Sequence, residues 1–285
     1  MAVDLQGDNE MKFDDIFTVR KPIIGMVHVR PLPGSSLYDK SEMDIKKITS
    51  IAIEEAKKLE AAGVDGLQVE NIWDFPYQKA ETLSPATIAA LAVVTSRVTE
   101  NVSIPVGVNC HFNAAEAALV VAIASGAKWI RIFEYCGAFI SQVGFIDSIG
   151  ASVSRMRSYL DAKEILFLCD ANVKLGSHFI INDRSVAEQA QDIEQEGGDS
   201  VIVTGFKTGM APSVEKTQEV KAAVSIPVLL GSGVTIKNVK DLLSVADGAI
   251  IGSWFKEDND WKKSVSYQRV FDFMNVIREL RKEIR

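Results

Sequence analysis

The sequence predicts an α/β protein built as a single (β/α)₈ barrel with a parallel eight-stranded core. Three observations carry this prediction. Eight short apolar runs alternate with longer segments of helical pattern, no linker rich in Gly, Pro or Ser divides the 285 residues, and the connections after the runs are longer than those before them. Strands separated by single helices form parallel sheets. Eight such units without a break favour a closed barrel over the alternative, a doubly wound open sheet.

The predicted strands are short runs rich in β-branched residues. In chain order they cover residues 22–29, 65–71, 104–110, 129–134, 165–172, 200–205, 226–233 and 248–253. Runs of this length and composition, bounded by glycine or polar residues, are typical of buried strands. We divide the chain into an acidic N-terminal tail, residues 1–20, and a barrel domain, residues 21–285.

The helices are predicted from capping residues and apolar periodicity. The first begins near Ser41, and the second opens at Ser84, an N-cap that precedes Pro85 at the first helical position. Candidate N-caps of three later helices are Asn113, Asp183 and Ser213. The last helix is predicted by an apolar stripe at helical spacing: Val270, Phe273, Met274, Ile277, Leu280 and Ile284.

Composition limits the classes of partner. The chain has 31 basic and 38 acidic residues, a net charge of −7, which does not indicate a face for nucleic acid. Three cysteines without CxxC spacing predict free thiols in a reducing compartment. The N-terminus has neither the basic-apolar pattern of a signal peptide nor the acid-poor composition of a transit peptide. The apolar stretch 117–125 is about half of a membrane span, so we expect a cytoplasmic protein without an integral membrane segment.

Polar residues at the carboxyl ends of the predicted strands are the candidate catalytic groups. Active sites of such barrels lie at this face, among the loops that follow the strands. Glu70 and Asp170 are predicted to supply acid/base chemistry, helped by His28 or His111. For any one of them, a buried polar group satisfied by backbone is the alternative.

A further set of polar residues is predicted to bind the substrate: Asn71, Asn109, Arg131, Asn172, Lys174, Thr204 and Lys207. Arg131 either binds a substrate anion or pairs with a helix carboxylate, and Glu134 has the opposite strand parity. The two lysines lie in loops, which favours solvated contacts to an anionic substrate. An aldolase with a Schiff-base lysine, which needs a desolvated position, is the less favoured alternative.

The glycine pattern predicts a phosphate site. In many barrels the backbone N–H groups after strands seven and eight bind phosphate, and glycine lets the backbone approach the anion. Turn geometry without a ligand is the alternative. The predicted phosphate-binding residues are Gly205, Gly231, Ser232, Gly233, Gly252 and Ser253.

No cofactor is predicted. A divalent metal held by His28, Glu70, His111 and Asp170 is a minor alternative, because the sequence contains no HxH or HExxH spacing. Homo-oligomers are a further alternative, with the aromatic residues Trp254, Phe255 and Trp261 as candidate contacts.

Several motifs resemble one family. The opening strand and loop KPIIGMVHVRPLPG, residues 21–34, and the later segments DGLQVEN, PVGVNC, WIRIF, CDANVK, DSVIVTG and PVLLGSGV are similar to the BtpA/SgcQ family, over about residues 20–280. The resemblance implies a barrel of the ribulose-phosphate-binding group. One branch of the family is named for photosystem I biogenesis and has a member that associates with thylakoid membranes. Another is encoded among sugar transport and metabolism genes. Polar motif positions that match, without known roles, are His28, Glu70, Asn71, Asn109 and Asp170.

These observations lead to one hypothesis and two alternatives. The chain is expected to be an enzyme acting on a small phosphorylated metabolite, a sugar phosphate or a nucleoside-derived compound, by isomerase or lyase chemistry that needs only positioned proton transfers. A non-enzymatic assembly or regulatory factor is the first alternative. Hydrolysis of a glycosidic bond in a ribosyl compound, by paired carboxylates, is the second.

Overall fold

A closed barrel of eight parallel strands forms the centre of the molecule, as the sequence predicts. The computed structural model describes residues 11–205 and 209–284. The strands, in chain order, are β1 (Ile23–His28), β2 (Gly66–Glu70), β3 (Val106–Asn109), β4 (Trp129–Ile132), β5 (Ala138–Ser141), β6 (Gly144–Asp147), β7 (Leu166–Ala171), β8 (Ser200–Thr204), β9 (Val228–Gly231) and β10 (Gly248–Ile251). Around the barrel they are ordered β1-β10-β9-β8-β7-β4-β3-β2, and β5 and β6 form a separate hairpin.

A short helix precedes the first strand, and longer helices follow the barrel strands and pack around them. In chain order they are α1 (Phe13–Ile16), α2 (Ile45–Ala62), α3 (Pro85–Asn101), α4 (Ala115–Ser125), α5 (Gly150–Tyr159), α6 (Val186–Gln195), α7 (Val214–Ala223), α8 (Val239–Leu243) and α9 (Tyr267–Glu283). The apolar stripe predicted for the last helix is buried along α9 from Val270 to Leu280. Within the described ranges, no helix combines the length and the hydrophobicity needed to cross a bilayer.

Two of the predicted N-caps are confirmed. The Ser84 side chain accepts from the Ala86 N–H at the start of α3, and Ser213 accepts from Lys216 at the start of α7. The prediction that the first long helix begins near Ser41 is wrong. The N–H and hydroxyl of Ser41 both donate to Asp39 in a turn, and α2 begins only after Asp44.

The other two predicted caps are also wrong. The Asn113 side-chain oxygen accepts from the backbone N–H groups of Phe133 and Glu134, so it fastens the end of β4 rather than the start of α4. Helix α6 is capped by Ser185, which exchanges hydrogen bonds with Glu188 in a capping box, and not by Asp183.

The amino-terminal end of the barrel is filled by aromatic side chains. Phe13 and Phe17, from the segment before β1, are buried among inward-facing strand residues, and the Phe17 ring centroid lies 5.4 Å from that of Trp129. Trp129 donates its indole N–H to Gln68 at 2.6 Å. A Cβ at Gly107 would lie 2.0 Å from the Trp129 Nε1 atom, so the indole requires glycine there. The sequence division at residue 20 stays a prediction, and these two phenylalanines belong to the barrel interior.

The hairpin β5–β6 was not predicted from the sequence. It lies in the connection between β4 and α5, where each strand has four residues, too few for alternation to stand out. Phe139 and Ile146 on one of its faces are buried with aromatic residues above the barrel, and Phe139 stacks on His178 at 5.0 Å. The hairpin therefore covers part of the carboxyl-terminal end of the barrel.

Candidate active site

A cleft opens at the carboxyl ends of the strands. We call it the cleft, and it brings together eight of the residues predicted from the sequence. They come from the ends of β1, β2, β4, β7, β9 and β10, and they are His28, Glu70, Arg131, Lys174, Ser232, Gly233, Gly252 and Ser253.

Glu70 is the buried carboxylate of the cleft. Asn109 donates to its Oε2 atom at 2.9 Å, and the Nε2 atom of His111 lies 3.1 Å from its Oε1 atom. Burial alone raises the pKa of Glu70, but the neighbouring His111 and Arg131 outweigh it and hold that pKa below its usual range. Glu70 is therefore ionised at neutral pH, the form that accepts a proton.

Arg131 and Asp170 form a buried ion pair inside the barrel. The Arg131 Nε and Nη2 atoms donate to the two carboxyl oxygens of Asp170 at 2.7 and 2.8 Å. The sequence alternative in which Arg131 pairs with a helix carboxylate is wrong, because Asp170 is on the neighbouring strand β7. Burial lowers the pKa of Arg131 and the Asp170 charge raises it, with a net rise. The pair thus fixes a cation in the wall of the cleft.

His28 is held in one tautomer. Its Nδ1 atom lies 3.1 Å from the Trp261 carbonyl oxygen, which only accepts, so Nδ1 carries the proton and Nε2 the lone pair. Burial and the nearby Lys256 lower the pKa of His28 to about 3, so the ring is neutral. A Cβ on Gly252 would lie 3.3 Å from the Nε2 atom. A proton acceptor therefore faces the Gly252 turn.

The environment of Lys174 differs from the one predicted from the sequence. The loop position suggested a solvated lysine, but Lys174 is partly buried in the cleft wall. Burial and the charge of Arg131 lower its pKa to about 8, so a fraction is neutral in the physiological range. The Lys174 backbone N–H donates to Thr204 Oγ1 at 3.1 Å, which fastens this loop to β8. The second predicted lysine, Lys207, lies outside the described residues.

Two glycine turns form the opposite wall. Ser232 and Gly233 have φ values of 79° and 69°, and a Cβ on Gly233 would lie 2.0 Å from the Ala211 nitrogen. The Ser232 hydroxyl accepts from Gly209 at 3.1 Å. Gly252 precedes a 3₁₀ turn, Ser253–Phe255, whose first N–H groups have no acceptor within the turn. These N–H groups are suited to an anion.

Other predicted site residues support the cleft without lining it. Asn71 accepts from the His111 N–H and donates to Asp74, so it links two loops. Gly231 leaves room for Arg131, since a Cβ there would be 3.3 Å from the Arg131 Nη2 atom. Asn109 donates to Glu70, and Thr204 accepts from the Lys174 backbone N–H. Asn172 has a φ of 57°, and a Cβ on Gly205 would lie 2.2 Å from the Met210 carbonyl oxygen.

The aromatic loop before α9 contributes to the wall of the cleft. Trp254 and Trp261 line the cleft, and Phe255 is buried. A contact between copies through this loop stays a prediction. The loop is anchored by Lys256, which begins the hydrophilic segment KEDNDWKK, residues 256–263, yet is buried and pairs with Glu55 of α2 at 2.5 Å. Its carboxylate partner lies 201 residues away in the chain, so no local pattern indicates the pair.

Glu134 is a second buried carboxyl group near the barrel mouth. Glu134 and Arg131 have opposite strand parity, which predicts that one of the two side chains faces the helices. The Arg131 side chain is the one that lies inside the barrel. Burial and the Asp170 charge raise the pKa of Glu134 to about 9, so it is a neutral acid at pH 7. It does not line the cleft.

The four side chains considered as metal ligands, His28, Glu70, His111 and Asp170, are not arranged to hold a metal ion. Asp170 is committed to Arg131, and the His28 Nδ1 atom faces a carbonyl oxygen. In the part of the chain that the structure describes, no three His, Cys, Asp or Glu side chains converge to hold an ion.

The fold and the cleft define a class: a (β/α)₈ barrel with a polar site at the carboxyl ends of its strands. The chain belongs to the BtpA family, whose model matches residues 19–279. It is 36% identical over 262 residues to an uncharacterised protein of Methanocaldococcus jannaschii, covering 92% of this chain and 97% of that one. It is 31% identical to the photosystem I biogenesis protein BtpA of Synechocystis, over 92% of this chain and 90% of that one.

Solved structures support the barrel. N-(5'-phosphoribosyl)anthranilate isomerase from Pyrococcus furiosus superposes with a TM-score of 0.55 at 13% identity, over 91% of this chain and 99% of that one. Thiamine phosphate pyrophosphorylase from the same organism gives a TM-score of 0.56 at 12% identity, over 91% and 96%. At such identities the likeness shows the fold alone.

Proposed function

We propose that this protein is an enzyme acting on a small phosphorylated metabolite by proton transfer, as an isomerase or a lyase. One observation carries the proposal. In a single cleft, the ionised carboxylate of Glu70 and the cationic groups of Arg131 and Lys174 share the space with two glycine turns, at Gly233 and Gly252. A barrel with a purely structural role has no need of this arrangement.

The phosphate is placed against the glycine turns. The N–H groups of the Gly252–Ser253 turn would donate to its oxygens, and Lys174 would supply a positive charge. The net charge of −7 does not oppose this, because backbone N–H groups bind an anion locally. Both Pyrococcus furiosus neighbours are named for phosphorylated compounds. Because their likeness shows the fold alone, the phosphorylated substrate proposed for this chain rests on the glycine turns and Lys174.

Proton transfer is assigned to Glu70, with His28 as a second acceptor. Glu70 would take a proton from carbon or oxygen of the bound metabolite, while Arg131 stabilises the negative charge that develops. Asp170 would hold Arg131 in place rather than exchange protons, because both of its oxygens already accept from the guanidinium. For the same reason, hydrolysis by a free pair of carboxylates is not favoured.

Calorimetry of binding tests this arrangement. Inorganic phosphate and a panel of sugar phosphates, each with its unphosphorylated parent, are titrated into the wild type and Gly252→Val. We expect phosphorylated members alone to bind, and Gly252→Val to weaken them by about tenfold or more, because the added side chain fills the turn. Ala151→Val, which adds bulk at an exposed position of α5, is the control. Equal binding of sugars and sugar phosphates, or equal phosphate affinity in the wild type and Gly252→Val, would contradict the phosphate site.

A second candidate function is an assembly factor, as the name of the Synechocystis relative suggests. The observation in its favour is an apolar rim beside the barrel mouth, where large side chains are exposed: Phe179 is 79% exposed and Ile180 57%. In a genetic complementation assay, Phe179→Ser with Ile180→Ser should abolish function if the rim docks a partner, and Glu70→Gln should not. The reverse result supports the enzyme.

A further inference from the structure

The side chain of Lys174 lines the cleft, where it is partly buried. Among the described residues, its Nζ atom makes no hydrogen bond and no ion pair. Two other lysines withdrawn from solvent are satisfied: Lys256 pairs with Glu55, and Lys21 donates to the Ala246 carbonyl at 2.6 Å. An amine that lacks a partner in a cleft is available to a ligand.

The charges around this amine place it among the polar side chains of the cleft. Arg131 and Glu70, which line the cleft, both act on the pKa of Lys174, and the Lys174 charge in turn acts on that of His28. Burial and the Arg131 cation lower the pKa of Lys174 to about 8. These two conditions make a lysine nucleophilic, because both favour the neutral amine. At neutral pH the protonated majority attracts an anion, and the neutral minority can attack a carbonyl carbon.

The loop that carries Lys174 is fastened at its base. The Lys174 backbone N–H donates to Thr204 Oγ1 at 3.1 Å, and the His178 Nε2 atom lies 2.8 Å from the carbonyl oxygen of the preceding residue, Val173. The Val173 side chain is itself buried in the aromatic cluster above the barrel. The loop position disfavoured Schiff-base chemistry in the sequence, because such a lysine needs a desolvated position. The structure gives Lys174 that position on an anchored backbone.

We propose that Lys174 is a nucleophile of the cleft and forms a Schiff base with the carbonyl group of an open-chain phosphorylated aldehyde or ketone. This inference rests on the proposed function and narrows its substrate to compounds with a free carbonyl group. The Nζ lone pair forms a bond to the carbonyl carbon. The carbonyl oxygen takes one proton from the amine and one from solvent and leaves as water, so that a protonated imine remains.

Glu70 supplies the proton transfers that follow in the same cleft. In a β-hydroxycarbonyl compound, its carboxylate takes the hydroxyl proton and the bond between the α and β carbons breaks. The electron pair of that bond neutralises the imine nitrogen as an enamine forms, and the β fragment leaves as an aldehyde or ketone. The proton then passes from Glu70 to the α carbon. Water adds to the imine and releases the second carbonyl product and the free amine, which favours a lyase over an isomerase.

Reductive trapping of the full chain tests this proposal directly. The protein is incubated with dihydroxyacetone phosphate and sodium cyanoborohydride, and mass spectrometry of its peptides locates the modified residue. We expect an adduct at Lys174 whose mass increase equals the ketone less one oxygen atom, because reduction fixes the imine. The exposed Lys57 is the internal control and should stay unmodified. Glycerol phosphate, which has no carbonyl group, should give no adduct. Failure to modify Lys174, or equal modification of Lys57, would overturn the proposal.

A charge-matched variant separates the amine of Lys174 from its charge. Lys174→Arg keeps the cation but cannot form an imine. We expect it to bind sulfate at pH 7 as the wild type does, and to lose the conversion of phosphorylated compounds. Conversion by Lys174→Arg at the wild-type rate would overturn the Schiff base and leave the proposed function intact. Equal trapping of dihydroxyacetone and its phosphate at Lys174 would support the nucleophile and contradict the phosphate site instead.

Discussion

Arg131 and Asp170 meet through two parallel hydrogen bonds in the barrel interior, with the Arg131 side chain 5% exposed and that of Asp170 fully buried. Such bidentate geometry fixes the plane of the guanidinium as well as its position. The arginine that faces the cleft is thereby held by a neighbouring strand. The pair therefore fixes the position of the guanidinium in the cleft wall.

Breaking that pair is expected to cost far more than removing it whole. Asp170→Ala leaves an uncompensated buried cation and should lower the free energy of unfolding by about 3–5 kcal/mol, whereas Arg131→Met with Asp170→Leu should cost less than the single change. Urea denaturation measures both. The exposed pair Arg97–Glu100 is the control, where Arg97→Met should cost under about 1 kcal/mol. If Asp170→Ala lowers the free energy of unfolding no more than Arg97→Met does, the barrel does not depend on the pair.

Phe17 is expected to stabilise the barrel although it precedes the first strand. Phe17→Ala removes a ring buried against Trp129 and should lower the free energy of unfolding by about 3–5 kcal/mol. Phe179→Ala, at a ring that is 79% exposed, should change it little. Similar midpoints of thermal unfolding for the two variants would place residues 11–17 outside the cooperative unit.

The barrel could be predicted because its determinants are local. Each strand is a short apolar run, and Ser84 and Ser213 cap the helices that they precede. Asn113 and Asp183 failed as caps because capping residues also serve other groups: Asn113 binds the backbone after β4, and Ser185 with Glu188 outcompetes Asp183. The hairpin β5–β6 was missed because its strands are short and its burial depends on Phe139 reaching across to His178.

The site could be predicted only in part, because strand ends are visible in a sequence and loop contacts are not. His28, Glu70 and Gly252 were found from their positions at strand ends, and all three line the cleft. That Asp170 neutralises Arg131 depends on the alignment of β4 with β7 across the barrel wall. The contact between Trp261 and His28 depends on a loop more than 200 residues away in the chain. The Lys256–Glu55 pair holds that loop in place.

The neutral state of His28 predicts how stability depends on pH. Burial lowers the pKa of His28 in the folded protein to about 3, while the unfolded chain has the usual value of 6.5. The unfolded state therefore binds more protons between these values, and His28 makes the protein less stable as the pH falls from about 6.5 towards 3. His28→Asn, whose amide can still donate to the Trp261 carbonyl, should make this loss shallower, by up to about 1.4 kcal/mol for each pH unit. Parallel curves of unfolding free energy against pH for the two proteins would contradict the buried neutral ring.

Anion binding should depend on pH through Lys174. Its pKa of about 8 means that the charge is lost as the pH rises through that value. Sulfate keeps its charge over this range, so its affinity in the wild type should fall between about pH 7 and 9. Lys174→Met should bind sulfate about tenfold more weakly at pH 7, with little dependence on pH. Lys57→Met, at an exposed position of α2, is the control and should follow the wild type. Equal pH profiles for Lys174→Met and the wild type would remove Lys174 from the site.

Turnover of phosphorylated metabolites tests the central claim most directly. A pool of sugar phosphates and phosphorylated nucleoside derivatives is incubated with the wild type and with Glu70→Gln, and the phosphorus NMR spectrum is followed over time. We predict that the wild type converts at least one phosphorylated compound. Glu70→Gln, with an unchanged melting temperature, should convert it at least about a hundredfold more slowly, as expected when a general base is lost. An unchanged spectrum with the wild type, or equal conversion by a correctly folded Glu70→Gln, would contradict the assignment of this cleft as an active site.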